Sequence, residues 1–352
     1  MIDWLSSMQQ TFEYYTVDPG TWKDKDLLTS ITACDITRDS TADTLGSATI
    51  DIVDSIGEAY VRVYLIVIQN ENKEKIPLGT FLVQTPSTSY NGKYTLVSMD
   101  AYTPLLEMTE CPPPLGYTIP KDKNILDMAY QLTGEYCRAP VVPATSDTKL
   151  YYDFVANTED TWLTFVRDLL LNAKYSFDLD EMGRVLFKPN QDIAALQPVW
   201  TYTDDNSSIL YPELTTEQDL YGIPNVVEVI YSNGSDTFYA KAENIDPNSP
   251  LSIENRGRRI VHRDTNPSIM GNATQLQVTK YAEDLLRELS SVEYTVSYKH
   301  GYCPVRVGDC VRLDYKKAGL SGVKAKVISQ EISCTPGTPV SEKAVFTTKL
   351  WR

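Results

Sequence analysis

The stretch Ala59–Gln69, AYVRVYLIVIQ, constrains the fold more than any other part of the chain. Two heavy atoms on Cβ crowd a helical turn but suit a pleated, half-buried surface, so a run this rich in Val, Ile and Tyr predicts a strand. Its aliphatic heart, Val63–Ile68, has the length of a buried strand and falls far short of the roughly 20 residues of a membrane span. The flanking sequence agrees. Thr11–Val17 and Ala48–Val53 roughly alternate, and Phe81–Ser89 and Lys93–Met99 flank Asn91-Gly92, a dipeptide that accepts the positive φ of a tight hairpin. Residues 1–110 therefore predict an all-β domain.

Cys111-Pro-Pro-Pro114 interrupts this pattern, because three prolines cannot donate ladder hydrogen bonds. A boundary is expected here. Asn124–Tyr136 then carries apolar residues at helical spacing. A second helix is expected from Asn157 as N-cap, with Asp160 completing the cap. Its stripe is Trp162, Phe165, Val166, Leu169, Leu170 and Ala173. Tyr175, Phe177 and Leu179, a turn at Asp180–Gly183, and Val185 and Phe187 predict a hairpin. Residues 111–200 thus predict a small α+β domain. From 201 strands return: Asn225–Tyr231 and Ser235–Ala240 around Asn233-Gly234, a helix at Thr274–Leu289, and strict alternation over Val292, Tyr294, Val296 and Tyr298. A closing strand runs to Trp351. Residues 201–352 predict a β-rich domain with one helix.

Charge narrows function. The net charge is −15, and residues 1–110 hold 7 Lys and Arg against 16 Asp and Glu, which is −9 of that total. A surface that grips nucleic acid needs cations to displace counterions from phosphate, so binding of that kind is not expected. The six cysteines form no C-x-x-C pair, which predicts packed, reduced thiols and no zinc ribbon. MIDWLSSMQQ has neither a basic nor an apolar leader region. The expectation is a soluble protein made in a reducing compartment.

Catalytic patterns are missing. There is no Walker loop, G-x-G-x-x-G, H-E-x-x-H or G-x-S-x-G. The two histidines, His262 in an Arg-rich loop and His300 at a strand end, are expected to be solvated or hydrogen-bonding rather than catalytic bases. Asp178, Asp180 and Glu181 sit where a calcium loop would turn, but the EF-hand ligand pattern fails, so a solvated turn is expected. No catalytic, metal or cofactor-binding residue is assigned. Arg256, Arg258, Arg259 and Arg263 form the one basic cluster. They read either as a docking patch for carboxylates of a neighbouring copy or as a solvated loop.

Five stretches, read in order, carry a resemblance. They are ITACDITRDSTADTLGSATIDI, PLGTFLVQTPSTSYNGKYTLVSMDAYTPLLEM, NVVEVIY, AENIDPNSPLSIENRGRRI and VRVGDCVRLDYKKAGLSGVKAKVISQEIS. Together they cover nearly the whole chain, which resembles the baseplate hub proteins of contractile phage tails and phage-like bacteriocins. The resemblance implies a mainly β protein, with two tail-tube-like β-barrel domains flanking the α+β domain. It implies a non-enzymatic homotrimer in the tail tip of a virion or phage-like particle, made in the host cytoplasm. Such a ring would join a six-fold tube protein to a three-fold spike, beside other baseplate subunits. DNA and the tape-measure protein would pass through its lumen. Lumen carboxylates repel phosphate, so Asp35, Asp39, Asp43, Asp51 and Asp54 are the expected channel-lining acids. Asp51 is the sharpest of them, because strand period sets it opposite Ile50 and Ile52. The alternatives are a tube-to-fibre adaptor of a non-contractile tail and a cell-wall hydrolase using acidic residues.

Overall fold

A computed structural model describes residues 2–53, 56–90, 92–205, 208–218, 220–232, 236–265, 267, 269 and 273–349. Asp54, the turn residues Asn91 and Asn233, and Trp351 lie outside the described residues. The backbone forms two compact units, residues 1–214 with 298–344, and residues 215–297 with 345–352. The boundaries expected near 110 and 200 both fall within the first unit.

The chain begins with seven strands: β1 (Gln9–Val17), β2 (Asp24–Leu28), β3 (Ile31–Asp39), β4 (Gly46–Val53), β5 (Tyr60–Gln69), β6 (Asn72–Tyr90) and β7 (Thr95–Tyr102). Tyr60 to Val67 of β5 are all buried, as the continuous apolar run requires. The run also contains Arg62, whose side chain is only 1% exposed. A buried guanidinium is costly without acceptors. Arg62 finds them in Asp24 Oδ1 at 2.7 Å, Thr80 Oγ1 at 2.9 Å and the Met182 carbonyl at 3.0 Å.

The middle segment comprises β8 (Thr118–Ile119), α1 (Ile125–Tyr136), β9 (Phe154–Val155), α2 (Trp162–Asn172), β10 (Tyr175–Leu179) and β11 (Val185–Pro189). Trp162, Phe165, Val166, Leu169 and Leu170 of α2 are buried in one core with α1 and with Trp22, Tyr60 and Leu82 of the first strands. The helix starts later than its sequence predicts. Thr161 is the N-cap, in a reciprocal capping box with Thr164, while Asp160 instead accepts a hydrogen bond from the Asn157 amide at 2.7 Å.

β12 (Trp200–Thr203) and β13 (Leu210–Gln218) follow. The second unit is described through β14 (Val226–Ser232), β15 (Thr237–Glu243), the short α3 (Ile253–Arg256), β16 (Val261–Asp264) and α4 (Gln275–Leu289). Its three strands order as β15-β14-β16, and Val278, Ala282 and Leu286 of α4 pack against Val227, Val229, Ala240 and Ala242. β17 (Ser291–Gly301), β18 (Cys310–Asp314), β19 (Val323–Ser333) and β20 (Pro339–Lys349) end the chain.

The large sheet runs β13-β17-β20-β19-β3-β4-β7-β6-β5-β1-β2, with β12 and β18 branching from β19. β19 pairs with β18 over Val323–Lys326 and then with β3 over Ser329–Ser333. One ladder therefore joins the first strands of the sequence to the last. The protein is mainly β, as expected. The two separate closed barrels implied by the resemblance are not seen among the described residues, where no ladder joins β2 back to β13.

Candidate functional site

Three polar features of the first unit stand out from its apolar core. The first is the turn between β10 and β11. A solvated turn was expected, but the structure grips it. Trp22 Nε1 and Arg62 Nη2 both donate to the Met182 carbonyl, at 2.7 and 3.0 Å. Arg306 lies 2.5 Å from Glu181 Oε1 and donates to the Leu179 carbonyl at 2.6 Å. Arg184 pairs with Asp180, and Lys188 with Asp178, both at 2.5 Å. Asp178 and Asp180 are thus paired within the hairpin, Glu181 ties it to the last segment, and the Met182 carbonyl ties it to the first. A cleft of about 410 Å³ opens beside the hairpin, lined in part by Arg38, Phe81, Asp178, Glu181, Lys188 and Arg306.

The second feature is a buried polar cluster. His300 is 0% exposed and Glu342 1%. The alternation that buries Val296 and Tyr298 on β17 continues one step further to His300. Its Nδ1 faces the Gly301 carbonyl at 2.7 Å and must carry a proton to donate there. Nε2 faces Tyr202 Oη at 3.1 Å and Glu342 Oε2 at 3.3 Å. Glu342 also accepts from Tyr298 Oη and from Gln330 Nε2. Burial alone would push the imidazole pKa down. Contacts with Cys303 and Glu342 overcome this, so it is pushed up to about 10. The result is a closed hydrogen-bond network with no solvent-facing base, which suits structure and not proton transfer to a substrate.

The third feature is the outer face of the sheet where β19, β3, β4, β7 and β6 lie side by side. Cys34, Ile36, Ala48, Ile50, Ile52, Val97, Met99 and Ala101 point inwards and are buried. Period two then sets Asp35, Thr49 and Asp51 on the opposite face. Register extends this face sideways. Ser333 lies opposite Asp35, Asp35 opposite Thr49, and Thr49 opposite Asp100. In neighbouring rows Glu331 lies opposite Thr37, and Asp51 opposite Ser98. These rows carry carboxylates and hydroxyls and no Lys or Arg. Ser333 Oγ donates to Asp35 at 2.6 Å, so part of the face is tied to itself.

No family model and no curated protein matches the sequence. Solved structures do. A tail protein from Neisseria meningitidis MC58 aligns at TM-score 0.62 with 14% identity, over 97% of this chain and 98% of that one. The 43 kDa tail protein of prophage MuSo2 from Shewanella oneidensis aligns at 0.61 with 10% identity, over 95% and 98%. The chain has the fold of phage tail proteins. A Francisella PdpA–VgrG complex matches at TM-score 0.56 and 9% identity, over 98% of this chain and 53% of that one.

On this tail-protein fold the residues singled out from sequence separate. Asp35 and Asp51 lie on the polar sheet face. Asp39 ends β3 and accepts from the amide and hydroxyl of Thr41 at 2.8 and 2.6 Å. Asp43 lies in the following loop, paired with Arg167 at 2.9 Å. Asp100 and Glu331 belong with Asp35 and Asp51 but escape a reading of single strands. Alternation within LVSMDAY and ISQEIS marks both as outward, and only the register brings them together. Of the arginines, Arg259 pairs with Glu243 at 2.6 Å and Arg263 with Glu228 at 2.7 Å. These hydrogen bonds hold the Glu228 carboxyl below its usual range, as the ion pairs with Lys241 and Arg259 do for Glu243. Arg256 donates to the carbonyls of Ile223 and Leu220. Arg258 is exposed. The cluster is therefore mostly engaged within its own unit. Among the described residues no group of three His, Cys, Asp or Glu is placed to hold a metal ion, and no helix is long and apolar enough to cross a membrane.

Proposed function

We propose that this chain is a structural hub subunit of a phage or phage-like tail baseplate. It would act as a homotrimer between the six-fold tail tube protein and the three-fold spike protein. The tape-measure protein and other baseplate subunits would be its further contacts. In this reading residues 1–110 and 201–352 supply the tube-like parts of the ring, and residues 111–200 lie between them in sequence. The particle's tail tip is where it would work, after synthesis in the host cytoplasm.

The observation that carries the reading is the polar sheet face. Four carboxylates, Asp35, Asp51, Asp100 and Glu331, share this face with hydroxyls, and among the described residues none of the four is in an ion pair with Lys or Arg. A conduit for DNA needs such a wall, because lysines would hold phosphates by counterion release while carboxylates keep the strand moving. Asp39, Asp43 and Asp54 lie near the ends of β3 and β4 in sequence and would rim this wall. Arg258, exposed and outside the ion pairs that Arg259 and Arg263 make, would meet acids of a neighbouring subunit. The closed His300 network supports a non-enzymatic role.

The test is a charge reversal on the wall, Asp35→Lys with Asp51→Lys, in assembled particles. Infectivity or DNA delivery should fall at least tenfold with particle yield unchanged. Normal delivery from normally assembled double-variant particles would refute the channel assignment. Light scattering of the purified chain tests the trimer separately.

A further inference from the structure

Cys34 and Cys334 are far apart in sequence and adjacent in space. The β3–β19 register runs through Ile36↔Ile332 and Asp35↔Ser333. Its next step sets Cys34 opposite Cys334. The Cys334 amide confirms that step by donating to the Cys34 carbonyl at 2.9 Å. Directly opposed, hydrogen-bonded residues of an antiparallel pair have Cα atoms about 5.5 Å apart. A disulfide spans about 4.4–6.8 Å between Cα atoms. Opposed residues of a ladder present their side chains to the same face of the sheet. Both belong to the same buried core, with exposures of 2% and 8%.

We propose that Cys34 and Cys334 are an oxidative cross-linking site, which closes to a disulfide when the protein meets a small-molecule disulfide oxidant. The step balances as thiol–disulfide exchange. One cysteine, as thiolate, attacks a sulfur of the oxidant and expels one thiolate. The second cysteine attacks the mixed disulfide and expels the other. Two thiols of the protein lose two hydrogens, and the oxidant is reduced to two small thiols. The position gives the bond a purpose. The β3–β19 ladder is the one that joins the first strands of the sequence to the last, so the bond would lock it covalently. It would also close a loop of about 300 residues, and long loops constrain the unfolded chain most.

The reaction is slow by design of its surroundings. The neighbouring Cys334 thiol and burial raise the Cys34 thiol well above its ordinary value, so little thiolate exists at neutral pH. This keeps the pair reduced in a cytoplasm and permits oxidation over long exposure outside one. The inference rests on the chain's own geometry and stands or falls apart from the hub reading.

The experiment treats the purified, folded chain at pH 8.5 with excess oxidised glutathione for days. Free thiols are then alkylated under denaturing conditions without reductant, and the peptides are mapped by mass spectrometry. The expected product is a peptide linking residues 34 and 334, two hydrogens lighter than its parts, with a melting temperature several degrees higher that reductant reverses. Exposed Cys111 serves as the internal control, since it must form a mixed disulfide if the oxidant is active. Recovery of Cys34 and Cys334 as separately alkylated peptides, with Cys111 modified, overturns the proposal. In Cys334→Ser the reductant-dependent melting shift should vanish; its persistence would assign the shift elsewhere and also overturn it.

Discussion

Glu342→Gln tests the buried network most directly. In the folded chain the imidazole of His300 holds its proton up to about pH 10, against an ordinary value of 6.5. Its folded pKa is the raised one, so its contribution is fully present below pH 6.5 and is lost as pH rises towards 10. Each pH unit inside that window costs up to about 1.4 kcal/mol of stability. Buried thiols and tyrosines add their own losses above about pH 9, so the clean interval runs from pH 6.5 to 8.5. Integrated over that interval, the loss from His300 is about 2 kcal/mol. Glutamine keeps the side-chain volume and a donor–acceptor end but removes the carboxylate that balances the imidazolium. Breaking such a buried pair costs about 3–5 kcal/mol while the cation persists. The imidazole avoids that cost by releasing its proton. The variant should therefore be less stable at pH 6.5 and nearly flat to pH 8.5, and the gap to the wild type should narrow as pH rises. Urea unfolding followed by tryptophan fluorescence at both pH values reads this. Comparing the two proteins cancels groups that titrate elsewhere. A wild type losing less than about 0.5 kcal/mol across the interval, or a variant retaining the full slope, would show that His300 is buried neutral and that the reasoning fails.

Two further outcomes follow from packing. Phe165→Ala should destabilise the chain by about 3–5 kcal/mol, read as a lower melting temperature, because the ring sits in the core shared by α1, α2 and the first strands. Gly183→Ala should cost about 2–4 kcal/mol in a urea titration. Its φ is +74°, and an added Cβ would lie 2.7 Å from Thr80 Cβ and 3.2 Å from the Trp22 ring.

Where physics is local, the sequence was readable. The α2 stripe from Trp162 to Leu170 is buried as spaced, and the β10–β11 hairpin pairs Phe177 with Phe187. The start of α2 was misread for a local reason too. Asn157 and Thr161 are both capping residues, and the reciprocal partner is Thr164, whereas the usual signature has Glu or Gln at that position. The fate of His300 was within reach, since continuing the β17 alternation by one residue puts it with Tyr298. Long-range partners were not legible. Nothing near Arg62 in sequence indicates that Met182, 120 residues on, supplies a carbonyl for it. Nothing near Asp35 announces Ser333, 298 residues away. Sequence alone therefore offers five separate aspartates, of which Asp35 and Asp51 share the polar sheet face, because the width of that face is a property of register alone.

The β10–β11 turn shows how these distant pairs divide the work of assembly. A β sandwich or barrel buries apolar faces without directional preference, so its strands can slip or pair wrongly unless polar groups fix the register. Here Met182 and Glu181, adjacent in one turn, are held by Arg62 and Trp22 of the first segment and by Arg306 of the last. Each guanidinium is at least partly buried, so a misplaced strand would strand a charge away from water. That penalty falls on wrong arrangements and hardly on the native one. The same turn requires Gly183, whose missing side chain lets Thr80 and Trp22 close over it. An acidic turn that looks from sequence like a solvated loop is thus the piece that keys the inserted segment into the sheet.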